Sequence, residues 1–251
     1  MTTYQDVVAA NGALGAWALT EAAGGVFVPY LGGTNLAGGG VAVYRDAGPF
    51  AASFGLRLAV GGRLRLPFAT TVFPPVTNEA WFKLSVLPPV PYAYLLRAGT
   101  LAVNGNGWYV DPVANHIIYT APGFAPIDTG FVWPDLNWHL VDWSSSAGNV
   151  LSLYFDGRII WRQTVAGPST PGPNVLGYAC DGNADNAKQV TTIAWPAFYP
   201  TELTPSAVYA TFLAATNPVA ALGYTLNGAG IQGTSDSTAL AAILAAVRKT
   251  Y

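Results

Sequence analysis

Three glutamates have the clearest potential for hydrolytic chemistry: Glu21, Glu79 and Glu202. A retaining glycoside hydrolase uses two carboxyl groups about 5 to 5.5 Å apart, one as nucleophile and one as general acid. The three glutamates are far apart in the sequence, and none belongs to a closely spaced motif such as E-x-D-x-x-E. A carboxylate pair that converges only in the folded chain stays open, but the sequence favours a protein that is not an enzyme.

The other potentially reactive residues lack the partners that their chemistry requires. His116 and His139 sit within apolar strand patterns, with no second ligand at a metal-binding spacing. The serines at 144–146 lack the G-x-S-x-G context that exposes a nucleophile, and nothing beside Cys180 favours its thiolate form. All of these residues are predicted to be structural.

An oxygen-rich segment is a candidate cation site. Asp181, Asn183 and Asp185, followed by Asn186, could offer oxygens to calcium, a hard cation. Their spacing misses the EF-hand pattern, which has a glutamate at its twelfth position. Turns rich in Asp and Asn are commoner than metal sites, so no cofactor is expected, and calcium is the alternative.

Aromatic residues could provide a binding surface, since the chain has 8 tryptophans and 13 tyrosines. Exposed aromatic rings can contact sugars or anchor protein interfaces. Four of them lie near proline- or glycine-rich turns and are candidate ligand-binding residues: Tyr92, Tyr94, Trp108 and Trp133. A buried position is the alternative for each.

Short strands are the elements that must position these side chains. Apolar or alternating runs recur about every ten residues between Gly, Pro, Asn and Asp, which is typical of an antiparallel sandwich. In the clearest hairpin, Asp156-Gly157 fits a two-residue turn with both residues at positive φ. Leu153 and Phe155 should share one apolar face, and Ile159 and Trp161 should continue it across the turn.

Helix signals frame this β region. Thr2 or Thr3 can cap a short N-terminal helix that Asn11-Gly12 ends. Thr204-Pro205 begins a second helix, ended by Asn217-Pro218. Asp236 can cap a third, whose apolar stripe is a candidate assembly contact: Leu240, Ile243, Leu244 and Val247.

These signals predict one domain with two appendages. Residues 1–12 form a helical arm, residues 13–218 form the sandwich, and residues 219–251 form a tail with a short helix. The tail is expected to dock on the edge of the sandwich or on a neighbouring chain.

Composition excludes several classes of partner. Eleven basic and thirteen acidic residues, without a basic cluster, argue against nucleic acid. No uninterrupted apolar stretch reaches the roughly 20 residues that span a bilayer, so membrane insertion is not expected.

Only 10% of residues are charged, against about 25% in typical proteins, which predicts contacts with other chains. The start of the chain lacks a secretory signal, so synthesis in the cytoplasm without export is expected.

Several motifs follow one another in a recognisable order: Trp17-Ala18-Leu19, Glu79-Ala80-Trp81-Phe82-Lys83, Trp138-His139-Leu140-Val141, Leu153-Tyr154-Phe155-Asp156-Gly157 and Ile193 through Pro200. Over about residues 13–217 this order resembles the laminin-G-like jelly-roll family of the concanavalin A-like lectin and glucanase superfamily. The resemblance implies an all-β fold, a two-sheet antiparallel jelly-roll sandwich with short N- and C-terminal helices.

Such domains occur in animal adhesion proteins, bacterial surface enzymes and the virions of tailed bacteriophages. Low charge and the absence of a signal peptide and of a disulfide favour the third setting. The predicted function is a non-catalytic virion structural protein, a capsid decoration or tail-associated subunit that contacts copies of itself or other virion proteins. The alternative is a carbohydrate-binding adhesion module that contacts a cell-surface glycan, assisted by calcium.

Overall fold

The computed structural model describes residues 3–67, 76–89, 92–98, 106–121, 125–165, 175–178, 191–216, 225–227 and 230–232. Its two helices are α1 (Tyr4–Ala10) and α2 (Pro205–Thr216). The first strands are β1 (Gly15–Ala16), β2 (Val26–Phe27), β3 (Leu31–Gly32), β4 (Leu36–Ala47), β5 (Phe54–Pro67), β6 (Val76–Leu84), β7 (Ala93–Ala98) and β8 (Asn106–Val110). The others are β9 (His116–Thr120), β10 (Ile127–Val132), β11 (His139–Ser145), β12 (Val150–Phe155), β13 (Arg158–Thr164), β14 (Val175–Tyr178), β15 (Thr191–Tyr199), β16 (Thr225–Asn227) and β17 (Gly230–Gln232).

The strands form two antiparallel layers that the long strand β5 joins. Its first half pairs with β15, where Leu58 lies opposite Thr191, and its second half pairs with β14, where Leu64 lies opposite Tyr178. The first layer continues from β15 through β6, β11 and β12 to β13, and the second continues from β14 through β7, β8 and β9 to β10. This confirms the predicted all-β sandwich.

Aromatic side chains from both layers fill the space between the sheets. The Trp108 ring on β8 lies 5.4 Å from that of Trp161 on β13, and Phe131 on β10 lies 4.8 Å from Phe155 on β12. Burying one such side chain contributes about 1.5 to 3 kcal/mol. This central core therefore holds the layers together.

The hairpin between β12 and β13 has the predicted turn. Asp156 and Gly157 have φ values of 50° and 75°, as a two-residue turn with two left-handed residues requires. A Cβ atom on Gly157 would lie 2.8 Å from that of Phe212 in α2, so close packing also requires glycine there. The inward face predicted for Ile159 is wrong, because a register shift between Leu153 and Tyr154 leaves it 44% exposed.

Both described helices cover the outer face of the first layer. The Thr3 side chain accepts a hydrogen bond from the Asp6 amide, which confirms the predicted cap of α1. Tyr4 and Val8 of α1 and Val208 of α2 are buried in a second core against this layer. No described helix has the length and hydropathy that crossing a bilayer requires. The division into residues 1–12, 13–218 and 219–251 stays a prediction.

Candidate functional site

A group of tyrosines lies on the outer face of the second layer. Alternation along β7 directs Ala93 and Leu95 into the core, so Tyr94 lies on the opposite face. Tyr94 pairs with Tyr109 across β7 and β8, Tyr109 pairs with Ile118 on β9, and Ile118 pairs with Asp128 on β10. We call this surface, with its neighbours, the tyrosine face: Tyr92, Tyr94, Tyr109, Asp111, His116, Ile118 and Asp128.

The three tyrosine rings pack edge to face around Tyr109. Its ring centroid lies 5.3 Å from that of Tyr92 at 83° and 5.8 Å from that of Tyr94 at 61°. Such pairs contribute about 0.5 to 1.5 kcal/mol beyond area burial, so the rings are held in position before any ligand arrives. Tyr92 is 39% exposed, and Tyr94 and Tyr109 are half-buried. The group therefore presents an ordered aromatic surface to solvent.

Two carboxylates border these rings. Asp128 Oδ2 lies 2.8 Å from His116 Nδ1, and the Asp128 side chain is 54% exposed. Hydrogen bonds from His116 and from the Gly130 amide lower the pKa of Asp128. Burial raises the pKa of Asp111, but hydrogen bonds from three backbone amides outweigh this effect and leave it below its ordinary value. Both groups are ionised at neutral pH.

This arrangement combines an aromatic surface with hydrogen-bond acceptors. Ligand sites typically pair apolar and aromatic area with a few polar groups that fix orientation. An ionised carboxylate only accepts hydrogen bonds, whereas a tyrosine hydroxyl both donates and accepts. A ring compound with one apolar face and several hydroxyl groups matches these properties.

The structure places two of the four predicted ligand residues on this surface. Tyr92 and Tyr94 belong to the tyrosine face, but ligand contact by them stays a prediction. Trp108 and Trp133 are 1% and 0% exposed, so their predicted role as surface contacts is wrong. Trp108 alternates with Tyr109 and therefore faces the core, and Trp133 packs edge-on against Phe155. Proximity to a turn does not show which face of a strand a residue occupies.

Sequence reasoning missed Tyr109, His116 and Asp128 as members of the site. A usable signal existed for Tyr109, because strand alternation places it opposite the core residue Trp108. The approach of Asp128 to His116 depends on the register of β9 and β10, which shifts between Asp128 and Val132. That register could not be predicted from local pattern.

The other predicted sites lie outside the described residues. These are the calcium candidates Asp181, Asn183 and Asp185 and the assembly contact Leu240, Ile243, Leu244 and Val247. Within the part of the chain that the structure describes, no three His, Cys, Asp or Glu side chains are grouped as metal ligands.

A second titratable group is buried under helix α1. Glu79 on β6 lies opposite Asp142 on β11, and both side chains are 0% exposed. The Tyr4 hydroxyl donates to Glu79 Oε1 at 2.5 Å, and the Tyr199 hydroxyl donates to Oε2 at 3.2 Å. Asp142 interacts with Glu79 through charge and through a hydrogen bond between the two carboxyl groups, and neither of its oxygens has another hydrogen-bond partner among the described residues.

Burial determines the chemistry of this pair. Burial raises the pKa of both carboxyl groups, and the charge of Glu79 raises that of Asp142 further. The two carboxyl groups do converge in the fold, the arrangement that the sequence left open. A glycosidase pair must touch its substrate, and Tyr4 and the first layer enclose Glu79 completely. In this conformation the pair is structural.

His139 links the turn between β12 and β13 to the loop between β10 and β11. Its Nδ1 lies 2.8 Å from Asp156 and its Nε2 lies 3.0 Å from Asp135. Asp156 also accepts a hydrogen bond from the Leu140 amide at 3.0 Å. Burial lowers the pKa of His139, but the interactions with Asp156 and Asp135 outweigh burial and raise it above its ordinary value. The structural role of His139 stays a prediction.

No protein-family model and no curated protein matches the chain. Solved structures share its fold. A Trypanosoma rangeli sialidase in complex with 2,3-difluorosialic acid matches with a TM-score of 0.60 and 18% identity, over 82% of this chain and 33% of the sialidase. The receptor binding domain of botulinum neurotoxin C/D mosaic serotype matches with a TM-score of 0.61 and 10% identity, over 80% of this chain and 51% of that domain.

The binding domain of botulinum neurotoxin serotype D matches similarly, with a TM-score of 0.60 and 12% identity, over 82% of this chain and 52% of that domain. The chain thus spans about a third of the sialidase and about half of each toxin domain. At these identities the likeness shows the fold alone, a β-rich sandwich compatible with the concanavalin A-like jelly roll.

These neighbours correct the main functional prediction. A virion structural role was expected, but the named structures that share the fold are a sialidase and toxin binding domains. The prediction relied on the low charge content, which does not distinguish the two roles. A surface that binds a subunit and a surface that binds a small ligand can both be aromatic and weakly charged.

Proposed function

We propose that this protein is a non-catalytic glycan-binding module whose contact surface is the tyrosine face. The observation that carries the proposal is the ordered set of Tyr92, Tyr94 and Tyr109 beside the half-exposed carboxylate of Asp128. The apolar face of a sugar ring packs on an aromatic ring, and its hydroxyl groups donate to the carboxylate.

The position of the tyrosine face on the surface of a sheet sets the expected affinity. A sheet face buries a smaller part of a ligand than a closed pocket does, and buried contact limits affinity. We expect a dissociation constant of about 0.1 to 1 mM per site, or about −5 to −4 kcal/mol. Useful binding strength would then come from several copies acting together.

A role without catalysis is supported by the position of the acidic residues. Among the described residues, the directly opposed carboxyl pair is Glu79 and Asp142, which α1 covers. The acids of the tyrosine face, Asp111 and Asp128, are not directly opposed: each accepts hydrogen bonds from backbone amides, and Asp128 also contacts His116. The sialidases that share the fold are only 16–18% identical and support the fold rather than an activity.

We further assign the sandwich to the laminin-G-like branch. The segment Trp138-His139-Leu140-Val141 leads into and begins β11, and Leu153-Tyr154-Phe155 ends β12 beside it. Asp156 and Gly157 then form the turn, and Asp156 binds back to His139 and Leu140. These contacts explain why the two motifs occur together, because they form one hydrogen-bonded strand pair with its turn. The virion location stays a prediction from the sequence, with a cell-surface glycan as the proposed partner.

A glycan array tests the proposed function. The full chain, labelled and made multivalent on a streptavidin support, is applied with calcium and again with a chelator. We expect binding to a set of related glycans. Equal binding in both arms favours direct contact through the tyrosine face, and binding lost with the chelator favours the calcium-assisted form. A complete absence of binding in both arms contradicts the proposal.

A further inference from the structure

The tyrosine face contains a row of residues that runs across four strands. Tyr94 on β7 lies opposite Tyr109 on β8. On β9, Ile118 lies opposite Tyr109 on one side and Asp128 of β10 on the other. Neighbouring strands are about 4.8 Å apart, so the three intervals from β7 to β10 separate the backbone of Tyr94 from that of Asp128 by about 14 Å. A single sugar ring extends over only about one such interval and cannot contact both ends of the row.

The exposed parts of this row lie toward its two ends. At the β7 end, Tyr92 is 39% exposed, and its ring packs against that of Tyr109. At the β10 end, 54% of the Asp128 side chain is exposed. Ile118 between them is 8% exposed and offers little contact of its own. A ligand therefore gains most from this surface when it reaches from the rings to the carboxylate.

Asp128 can accept hydrogen bonds beyond those that it has within the protein. His116 Nδ1 lies 3.1 Å from Oδ1 and 2.8 Å from Oδ2, and the Gly130 amide donates to Oδ1 at 2.7 Å. Two carboxylate oxygens offer about four acceptor positions. The exposed side of the carboxylate can therefore accept a hydrogen bond from a sugar hydroxyl.

Tyr109 provides a polar group between the two ends. Burial raises the pKa of its hydroxyl, and Tyr92, Tyr94, Asp111 and Asp128 raise it further. The hydroxyl stays protonated at neutral pH and can both donate and accept a hydrogen bond. Across the face, the order of groups is aromatic rings, a hydroxyl and an ionised carboxylate. Successive sugar residues of one chain match this order.

We infer that the tyrosine face binds an extended segment of at least three linked sugar residues that runs across β7 to β10, rather than a single sugar at the end of a glycan. This inference rests on the proposed function and adds the form of the ligand. Contact at one end alone buries little area. A linked residue that reaches the other end adds contact without a second loss of translational and rotational freedom.

The test measures affinity against chain length. Linear oligosaccharides of one to six residues are titrated into the full chain and followed by nuclear magnetic resonance, in three series: β-1,4-linked glucose, α-1,4-linked glucose and β-1,4-linked N-acetylglucosamine. In at least one series, we expect the trisaccharide to bind at least about fivefold more strongly than the monosaccharide. Beyond four residues the affinity should change by less than about twofold, because the added residues extend past the row.

A variant at the β10 end tests the direction of the chain. Asp128→Ala should weaken binding of the trisaccharide at least about threefold. It should change binding of the monosaccharide by less than about twofold, because one residue held on the rings does not reach the carboxylate. Glu202→Ala, which removes an acid outside the tyrosine face, is the matched control and should leave both affinities unchanged. Circular dichroism checks that each variant is folded.

Three results overturn the inference while leaving the proposed function standing. They are a monosaccharide that binds as strongly as the longer chains, equal effects of Asp128→Ala on short and long chains, and binding on the glycan array with none in the three linear series. An absence of binding both in these series and on the array overturns the proposed function itself.

Discussion

Glu79 and Asp142 lie directly opposite each other on β6 and β11, and neither side chain is exposed to solvent. The Cβ atoms of such cross-strand neighbours are about 4.5 to 5.5 Å apart. Two negative charges at that distance, away from water, destabilise the fold. Tyr4 and Tyr199 each donate a hydrogen bond to Glu79, so the stability of this pair is connected to the docking of α1.

The pair predicts a stability that falls as pH rises. Both carboxyl groups have a pKa raised above that of the unfolded chain. Their contribution is therefore fully present below the unfolded pKa values, about 4, and is lost as pH rises through the folded values. Asp142→Asn should flatten this dependence, as measured by urea unfolding from pH 4 to pH 9. A wild-type slope in Asp142→Asn would show that the pair does not titrate as described.

Tyr4→Phe should destabilise the protein by about 1 to 3 kcal/mol, because it leaves a buried acceptor on Glu79 with one donor fewer. The ring contacts of Tyr4 with Phe50 and Trp195 remain available to phenylalanine, which isolates the hydroxyl. Tyr209→Phe, at a 42% exposed position of α2, is the control and should change the free energy of unfolding by less than about 0.5 kcal/mol. Equal effects of the two substitutions would refute the role of the hydroxyl.

His139 should titrate above its ordinary pKa of about 6.5, because Asp156 and Asp135 stabilise its protonated form more than burial disfavours it. Its contribution to stability is fully present below the unfolded pKa and is lost as pH rises through the folded value. In Asp156→Asn the imidazole loses one charged partner, so its pKa should fall. Nuclear magnetic resonance titration of the His139 ring in the wild-type chain and in the variant measures both values. An unchanged His139 pKa in the variant would contradict this account.

Trp108 and Tyr92 should respond differently to truncation, although both lie near turns. Trp108→Ala removes a ring from between the layers and should destabilise the protein by about 3 to 5 kcal/mol. Tyr92→Ala removes a 39% exposed side chain and should cost less than about 1.5 kcal/mol. Chemical denaturation compares the two. Comparable losses would mean that the two strand faces are assigned incorrectly.

Local chemistry predicted the features that depend on a few neighbouring residues. The Asp156-Gly157 turn, the Thr3 cap and the start of α2 at Pro205 all follow from backbone preferences that one or two residues determine. The sandwich class followed from the spacing of the strands. Ile159 shows where local prediction fails, because one register shift between β12 and β13 places its side chain on the opposite face of the sheet from the one predicted.

The candidate site was only partly predictable because it depends on contacts between distant strands. Tyr92 and Tyr94 were identified from their position beside a proline-rich segment, but Tyr109 joins them only through the pairing of β7 and β8. Asp142 sits within an apolar strand pattern, and its approach to Glu79 requires the register of β6 and β11. Neither the approach of Tyr109 to Tyr94 nor that of Asp142 to Glu79 can be predicted from sequence spacing alone.

The most direct test of glycan binding compares Tyr92→Ala and Tyr209→Ala. The two tyrosines have similar exposure, 39% and 42%, but only Tyr92 belongs to the tyrosine face. Each variant and the wild-type chain are titrated by isothermal calorimetry with the glycan that binds most strongly on the array. We predict that Tyr92→Ala weakens binding at least fivefold and that Tyr209→Ala binds like wild type. Undiminished binding by Tyr92→Ala, with its fold intact by circular dichroism, would contradict the assignment of the tyrosine face as the glycan site.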